Sequence, residues 1–303
     1  MKKKITWLLF HEPAELFIRT AEHFEQELNA QTNNAYEFEI LELADYEAKY
    51  CDGKPCDPLE ELRSGRVQMS QLYIESLAQA NVTNFLALSL PYLFRDHAHA
   101  TRVFEGEIGT ELLAHVQDTI GIKGLSFTYS GGYKCMAVNQ PVTSVEDFSR
   151  LTYKARTNSV GVDMFNALGA TAVDAENADF RDTTLPRYGA DSREDQTHAV
   201  KTEHAMYLTT ILANKEMIEE MSDQHREAFR QAAKTAAHAE RIKSVQDAEE
   251  IAATPALQRS LNISQLIEFD SAQHAKLREK LEPVREKWRA YFPNALVDRI
   301  QAA

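Results

Sequence analysis

Three side chains that can hold a ligand follow the ends of two predicted strands near the start of the chain. His11 and Glu12 come directly after the apolar segment 5–10, and Tyr73 ends the alternating segment 67–73. Ligands of open α/β sheets bind beyond the carboxyl ends of the strands. The three side chains are therefore predicted to belong to a binding site, with core packing or capping as the alternative role of each.

The cysteines offer redox or metal chemistry. Cys51 and Cys56 flank Asp-Gly-Lys-Pro, a turn sequence that can bring the two sulfurs close, whereas Cys135 lies in an apolar segment. A Cys51–Cys56 disulfide is one interpretation, which an oxidising compartment permits but the spacing does not require. A metal site is disfavoured because no second Cys or His pair at ligand spacing lies nearby.

Other candidate chemistry has little support in the sequence. His97 and His99 suggest zinc ligands, but a His-x-His pair often occurs by chance, and neither a metal nor a cofactor is predicted. The sequence contains no Gly-x-Ser-x-Gly elbow, no glycine-rich phosphate loop and no His-Glu-x-x-His helix. An enzyme is therefore not predicted, and acidic pairs such as Glu60 with Glu61 are interpreted as solvated helix faces.

Charge and hydropathy limit the possible partners. The 33 basic and 46 acidic residues give a net charge of −13, which repels phosphate backbones, so nucleic acid is not a predicted partner. No apolar run is long enough to span a membrane. The basic start, Lys2 to Lys4, precedes an apolar stretch too short for a signal peptide. We expect either that a signal segment has been removed or that the protein remains in the cytoplasm.

The elements that must position these side chains alternate between strand and helix. A helix is predicted after Pro13, because apolar residues between positions 16 and 28 fall on one face. Tyr36 begins a second strand, and Asp57 caps a helix that has Pro58 at its first position. This alternation predicts βαβ units and a parallel sheet with helices on both faces, which is an α/β fold.

The rest of the chain predicts two interleaved lobes. Residues 88–109 are predicted as a strand, a turn and a helix, and residues 222–251 as a helix long enough to cross between lobes. A chain of 303 residues exceeds what one core usually organises, and no glycine-rich linker separates its parts. The predicted lobes are 1–125 with about 205–250, and 126–204 with about 251–303.

Several motifs resemble one family, the extracytoplasmic solute receptors of tripartite ATP-independent periplasmic (TRAP) transporters. The motifs are Leu90-Pro91-Tyr92-Leu93-Phe94-Arg95-Asp96, His99-Ala100, Gly106 with Gly109, Leu112-Leu113, Lys154-Ala155-Arg156 and Phe165-Asn166-Ala167-Leu168-Gly169-Ala170. The resemblance implies a two-lobed fold like that of periplasmic binding proteins. Such a protein closes about a small organic acid in its cleft and delivers it to a membrane permease.

The resemblance also implies site residues. Arg156 stands where the family arginine pairs with the ligand carboxylate, and its planar fork of donors suits that role at any physiological pH. Lys134 stands where many members have an arginine and would act as a point charge. Asn158 is included in the predicted site. A surface ion pair for Arg156 and a solvated edge-strand position for Lys134 are the alternatives.

The chain departs from the family near Asp191. Members commonly read Asp-Gly-x-Glu-Asn there, with the asparagine contacting ligand, whereas this chain has Asp195 at the asparagine position. A stretch of the family pattern before Thr202 is also missing. An acid beside the arginine would repel an anion or accept a hydroxyl or an amine, which disfavours a simple dicarboxylate.

The predicted function is therefore that of a periplasmic solute-binding receptor of a TRAP transporter. Its predicted partners are a small organic acid and the permease subunits, and a monomer is expected. One alternative keeps the fold but places it in a cytoplasmic solute sensor or sequestering protein. The other is an enzyme on a similar α/β scaffold, which would show turnover.

Overall fold

The computed structural model describes residues 2–154, 159–174 and 176–303. The chain forms two compact units, each assembled from separate stretches of sequence. Unit 1 contains Met1–Val82, Thr101–Tyr129 and Leu208–Ile242, and unit 2 contains Thr83–Ala100, Ser130–Tyr207 and Lys243–Ala303. The predicted interleaving is confirmed, although residues 83–100, which the predicted boundaries place in the first lobe, belong to unit 2.

The strands of the described residues lie in two sheets. Numbered in chain order, they are β1 (Lys3–Leu9), β2 (Tyr36–Glu42), β3 (Met69–Tyr73), β4 (Ile122–Tyr133), β5 (Cys135–Val138), β6 (Thr152–Lys154), β7 (Thr171–Val173), β8 (Phe180–Thr183), β9 (His198–Lys201), β10 (Met206–Asn214) and β11 (Gln265–Glu268).

Helices cover most of the remaining described sequence. They are α1 (Ala14–Gln31), α2 (Leu43–Tyr50), α3 (Pro58–Arg63), α4 (Ile74–Gln79), α5 (His97–Glu105), α6 (Glu107–Ile120), α7 (Ser159–Ala167), α8 (Tyr188–Asp191), α9 (Lys215–Glu219), α10 (Asp223–Ala253), α11 (Pro255–Ser260), α12 (Ser271–Arg289) and α13 (Leu296–Ala302). None of these helices is both long and apolar enough to cross a membrane.

Both sheets are mixed, so the prediction of a parallel sheet is correct for only some of the strand pairs. The first has the order β2-β1-β3-β10-β4, in which β1 is parallel to β2 and β3 while β10 is antiparallel to β3. The second has the order β11-β9-β5-β8-β6-β7, with β5 antiparallel to both of its neighbours. A helical crossover fixes the direction of a parallel neighbour, but β10 joins β3 from a distant stretch of chain, which leaves its direction open.

The core of unit 1 forms where α1 and α10 cover the first sheet. Phe24 of α1 is fully buried and meets the ring of Trp7 edge to face at 5.3 Å and that of Phe229 at 5.5 Å. The alanines of α10 between positions 228 and 237 are buried in the same cluster. Burial of each such large side chain contributes about 1.5–3 kcal/mol, and the small alanines let the helix approach closely.

The core of unit 2 is an aromatic cluster beneath the second sheet. Phe165 packs against Phe180 at 5.2 Å with the rings nearly perpendicular, and Phe148 meets Phe180 at 5.5 Å. Tyr153 is buried beside them, and its hydroxyl donates to the Val162 carbonyl at 3.2 Å. This core fixes β6 and α7, the elements on either side of the predicted carboxylate-binding arginine.

The strand predicted at the start of residues 88–109 is wrong. Thr83–Ser89 is a 3-10 helix. The turn that contains Tyr92 and Phe94 comes next, and the two helices α5 and α6 follow it. The apolar run is buried on several sides, and a short buried run cannot be assigned to strand or helix by periodicity. Tyr92 has a positive φ of 52°, and its N–H donates to the His204 carbonyl at 2.7 Å. The turn is thus held by a segment more than a hundred residues away.

Two other predictions from local sequence signals, the Asp57 cap and the long helix, are confirmed. Asp57 caps α3, since its carboxylate accepts from the Leu59 N–H at 2.9 Å. The long helix predicted over 222–251 is α10, which runs for 31 residues. The short helices α2 and α4 were missed because neither carries a distinctive cap or periodic pattern.

Candidate functional site

The structure brings His11, Glu12 and Tyr73 together in unit 1. The rings of His11 and Tyr73 stack at a centroid distance of 3.8 Å, and the Tyr73 N–H donates to His11 Nε2 at 3.3 Å. The Tyr73 hydroxyl donates to the Glu12 carbonyl at 3.0 Å. Glu12 itself is exposed, and its carboxylate accepts from the Ala14 N–H at the start of α1. The three residues thus support one another at the ends of β1 and β3.

Two polar side chains near this group were not predicted. Gln71 of β3 is buried, and its amide donates to Thr209 Oγ1 on the neighbouring strand β10 at 2.8 Å. Within the described residues, Gln71 Oε1 and Thr210 Oγ1 are buried without a hydrogen-bond partner. A buried polar atom without a partner costs about 1–3 kcal/mol, so such atoms are usually satisfied by water or ligand. The signal in the sequence was a glutamine among the inward positions of an apolar strand.

Unit 2 contains a buried ion pair at Lys134, just before β5. Lys134 Nζ donates to Asp182 Oδ2 at 2.9 Å, and both side chains are nearly inaccessible to water. The same ammonium lies 4.8 Å from the ring centroid of Tyr207. Lys134 is therefore a buried cation that is already matched by a carboxylate, and the alternative of a solvated edge-strand lysine is wrong.

A second buried cation, Arg187, contacts the same aromatic ring. Its guanidinium carbon lies 4.8 Å from the Tyr207 ring centroid. The fork holds Asp191 through two hydrogen bonds of 2.9 and 2.8 Å, and Nη1 donates to Ser130 Oγ at 3.0 Å. Thr183 donates to the same carboxylate at 2.6 Å. The cluster therefore pairs each of its two cations with one acid.

His204 lies close enough to this cluster for Asp182 and Lys134 to affect its pKa. It is fully buried, and its Nδ1 lies 2.8 Å from Thr202 Oγ1. Burial lowers the pKa of His204 to about 3, while Asp182 raises it and Lys134 lowers it by smaller amounts. The imidazole is therefore neutral at physiological pH. Sequence reasoning gave His204 no role.

Asp195, the predicted replacement for the family asparagine, lies at an exposed position in unit 2. Both of its carboxylate oxygens accept from Arg193, at 2.9 and 2.6 Å. The hydrogen bond from Arg193 is the main cause of the lowered pKa of Asp195. Arg193 also donates to the carbonyls of Glu176 and Ala178, each at 2.6 Å. Within the described contacts, Asp195 therefore belongs to a surface ion pair.

Arg156 and Asn158 lie outside the described residues. The strand before them, β6, ends at Lys154, and the helix after them, α7, begins at Ser159. Lys154 forms an ion pair with Glu176. The roles of Arg156 and Asn158 as ligand contacts therefore stay predictions.

His99 has a structural role in unit 2. Its ring is fully buried, Nε2 lies 2.7 Å from the Ile300 carbonyl, and Nδ1 accepts from the Arg95 N–H at 3.1 Å. Both ring nitrogens are thus engaged by the backbone. This residue fixes the turn before α5 to the C-terminal helix α13.

A cavity of about 510 Å³ lies within unit 2. One wall is formed by His97 and Tyr133, whose ring centroids are 4.6 Å apart, and Lys201 and Glu203 contribute charges. Burial lowers the pKa of His97 and raises that of Tyr133 to about 12. The volume of the cavity is typical of a small-molecule site. Of the predicted site residues within the described part of the chain, Lys134 alone lines this cavity.

The chain is similar to known solute-binding proteins. The family model described as "Bacterial extracellular solute-binding protein, family 7" (DctP) matches residues 11–180 and 186–290. The C4-dicarboxylate-binding periplasmic protein DctP of Rhodobacter capsulatus is 32% identical over 151 residues, which cover 50% of this chain and 43% of that protein. The chain thus matches less than half the length of this relative.

Solved structures share the fold. A TRAP periplasmic solute-binding protein of Sulfurospirillum deleyianum with bound succinate has a TM-score of 0.82 at 20% identity, covering 100% of this chain and 99% of that one. A TRAP periplasmic solute-binding protein of Pseudomonas putida with bound D-glucuronate has a TM-score of 0.81 at 19% identity, covering 99% and 97%. The predicted fold class is confirmed.

Proposed function

Because the chain belongs to family 7 of the bacterial extracellular solute-binding proteins, we propose that it captures a small carboxylate-bearing solute for delivery to a TRAP membrane permease. The observation that carries this proposal is the family match over residues 11–180 and 186–290. Solved relatives with bound succinate and D-glucuronate support a carboxylate ligand. The periplasm is the proposed location. The cytoplasmic sensor and the enzyme gain no support from the family match.

We propose Arg156 as the residue that binds the carboxylate. Its place in the Lys154-Ala155-Arg156 motif supports this role, as does the match between a guanidinium fork and a carboxylate. The short strand β6 is anchored beside it, because Thr152 N–H and Oγ1 both donate to Asp179 at 2.7 Å.

We propose further that the solute is a monocarboxylate with hydroxyl groups, not a dicarboxylate. Lys134 and Arg187 are the buried cations of the cluster around Tyr207, and each is matched by its own carboxylate, Asp182 or Asp191. A second ligand carboxylate would have to compete with these acids for a cation. Hydroxyl groups need only hydrogen-bonding atoms and no cation.

Calorimetric titration of the wild type and of Arg156→Ala with D-glucuronate, D-erythronate and succinate tests both proposals. We expect the two hydroxylated monocarboxylates to bind more tightly than succinate. Arg156→Ala should weaken binding by about 2–5 kcal/mol, the usual cost of truncating one partner of a buried charge pair. Arg150→Ala is the matched control, since Arg150 is an exposed arginine on a nearby 3-10 helix.

The outcomes separate the two proposals. Unchanged affinity in Arg156→Ala would remove this arginine from the site while leaving the receptor function intact. Tighter binding of succinate than of both sugar acids would refute the monocarboxylate proposal. If a wider thermal-shift screen of organic acids found no ligand that raises the melting temperature, the receptor function itself would fail.

A further inference from the structure

Cys51 and Cys56 lie close together at the junction of α2 and α3 in unit 1. Their sulfurs and one carboxylate oxygen of Glu61 all lie within 4.8 Å of one another. Both cysteines are free and partly exposed, so a small reagent can reach them. The third cysteine, Cys135, is buried in unit 2.

The backbone between the two cysteines is held in a tight turn. Asp52 and Gly53 both have positive φ, at 53° and 72°. The Gly53 N–H donates to the Glu47 carbonyl at 2.9 Å, and the Cys56 N–H donates to the Glu47 carboxylate at 2.9 Å. Glu47 thus accepts hydrogen bonds from the backbone at Gly53 and at Cys56. These two contacts keep the sulfurs near each other without a covalent bond.

The surroundings favour a disulfide over a metal ion. Both Glu61 oxygens accept from Arg66, at 2.7 and 2.8 Å, and the Tyr46 hydroxyl donates to the same carboxylate at 2.7 Å. This acid would have to give up these contacts to bind a cation. Burial, then Cys51 and then nearby acids raise the pKa of Cys56 to about 12, which makes Cys56 a poor first nucleophile.

We propose that Cys51 and Cys56 form a reversible disulfide that closes this turn. The oxidant is a disulfide donor of the oxidising compartment. The Cys51 sulfur, as thiolate, attacks one donor sulfur, forms a mixed disulfide and releases one donor thiol. Cys56 then gives up its proton and attacks the Cys51 sulfur, which forms the Cys51–Cys56 bond and releases the second donor thiol. The two cysteines lose two electrons and two protons, and the donor gains them.

The test uses the full chain and an uncharged donor, bis(2-hydroxyethyl) disulfide, because the net charge of −13 on the protein would repel anionic glutathione. After incubation, the protein is quenched in acid, alkylated with N-ethylmaleimide and digested with trypsin. Lys54 precedes Pro55, so both cysteines stay in one peptide, residues 50–63. We expect this peptide to resist alkylation and to be lighter by two hydrogen atoms, and dithiothreitol to reverse both changes.

Single cysteine variants show which of the two sulfurs attacks the donor first. Cys56→Ser should stop at a mixed disulfide on Cys51, whereas Cys51→Ser should leave Cys56 largely unmodified. Cys135→Ala is the control and should behave as the wild type in this peptide. The oxidised wild type should melt about 2–6 °C above the reduced protein, because a closed loop restricts the unfolded chain.

Two results would overturn the proposal, and neither depends on a variant folding. In the first, both thiols of the wild type remain open to alkylation after prolonged incubation with the donor. In the second, equimolar Zn²⁺ protects both thiols of the reduced protein and raises its melting temperature, which would make the pair a metal site. Neither result bears on the ligand-binding proposal, because the measurements contain no carboxylate solute.

Discussion

The Tyr207 ring contacts two buried cations of unit 2, Lys134 and Arg187. Lys134 and Arg187 each lie 4.8 Å from the centroid of its ring; Lys134 pairs with the buried Asp182, and Arg187 pairs with the partly buried Asp191. A buried pair is costly to form but more costly to break, because removal of one charge leaves the other in a medium of low dielectric constant. The stability of unit 2 therefore depends on these two ion pairs.

Asp182→Asn is expected to destabilise the protein by about 3–5 kcal/mol, because the buried Lys134 ammonium loses its carboxylate partner. Urea unfolding of the variant measures the effect. Asp195→Asn is the matched control, because that carboxylate is exposed and should contribute less than about 1 kcal/mol. A loss as small in Asp182→Asn as in the control would contradict the buried-pair interpretation.

His204 should make stability depend on pH. Its pKa is about 3 in the folded state, and the model-peptide value of 6.5 applies to the unfolded chain. Between these values the unfolded imidazole binds a proton and the folded one does not, so stability falls as pH decreases from 6.5 towards 3. The slope from this group reaches about 1.4 kcal/mol per pH unit.

The measurement compares unfolding free energies of the wild type and His204→Gln at several pH values. Carboxylates titrate in both proteins, so their contribution cancels in the difference. The wild type should lose stability more steeply than the variant below pH 6.5. Parallel profiles would show that His204 is not buried as a neutral ring.

At the scale of elements, the junction of α5 and α6 depends on two glycines. A Cβ at Gly109 would overlap the Phe104 carbonyl oxygen, and one at Gly106 would lie 2.7 Å from the Arg102 carbonyl oxygen. The chain therefore ends one helix and begins the next without an intervening loop.

Gly109→Ala is expected to destabilise the protein by about 1–3 kcal/mol, since the new methyl group forces the two helices apart. Thermal unfolding monitored by circular dichroism measures the change. Thr110→Ala, at the next and exposed position, is the control and should change stability by less than about 0.5 kcal/mol. Equal melting temperatures of the two variants would refute this account of the junction.

At the scale of the whole molecule, the proposed role requires two partners, a solute and a permease. Membrane vesicles that contain a candidate TRAP permease should accumulate labelled monocarboxylate only when this protein is added. Arg156→Ala should reduce the uptake at low solute concentration at least tenfold, because occupancy falls with affinity. Arg150→Ala should support normal uptake. Accumulation that is the same without the protein would show that it does not serve that permease.

The sequence by itself determined the family and the elements that depend on local signals. The motifs between Leu90 and Ala170 identified the family, the Asp57 cap placed α3, and periodic apolar residues placed α1. Each of these signals lies within a short stretch of chain, where spacing and residue type are sufficient to indicate the structure. The carboxylate-binding role of Arg156 came from the same kind of motif and stays a prediction.

Only the tertiary structure decided how distant residues combine. Lys134 is matched by Asp182, the His99 ring is held by the Ile300 carbonyl, and β10 runs antiparallel to β3. The residues in each of these contacts are separated by dozens to hundreds of positions, so no local pattern records them. Burial then determines which contacts these side chains make, since a lysine and a histidine shielded from water must find their hydrogen-bond partners within the protein.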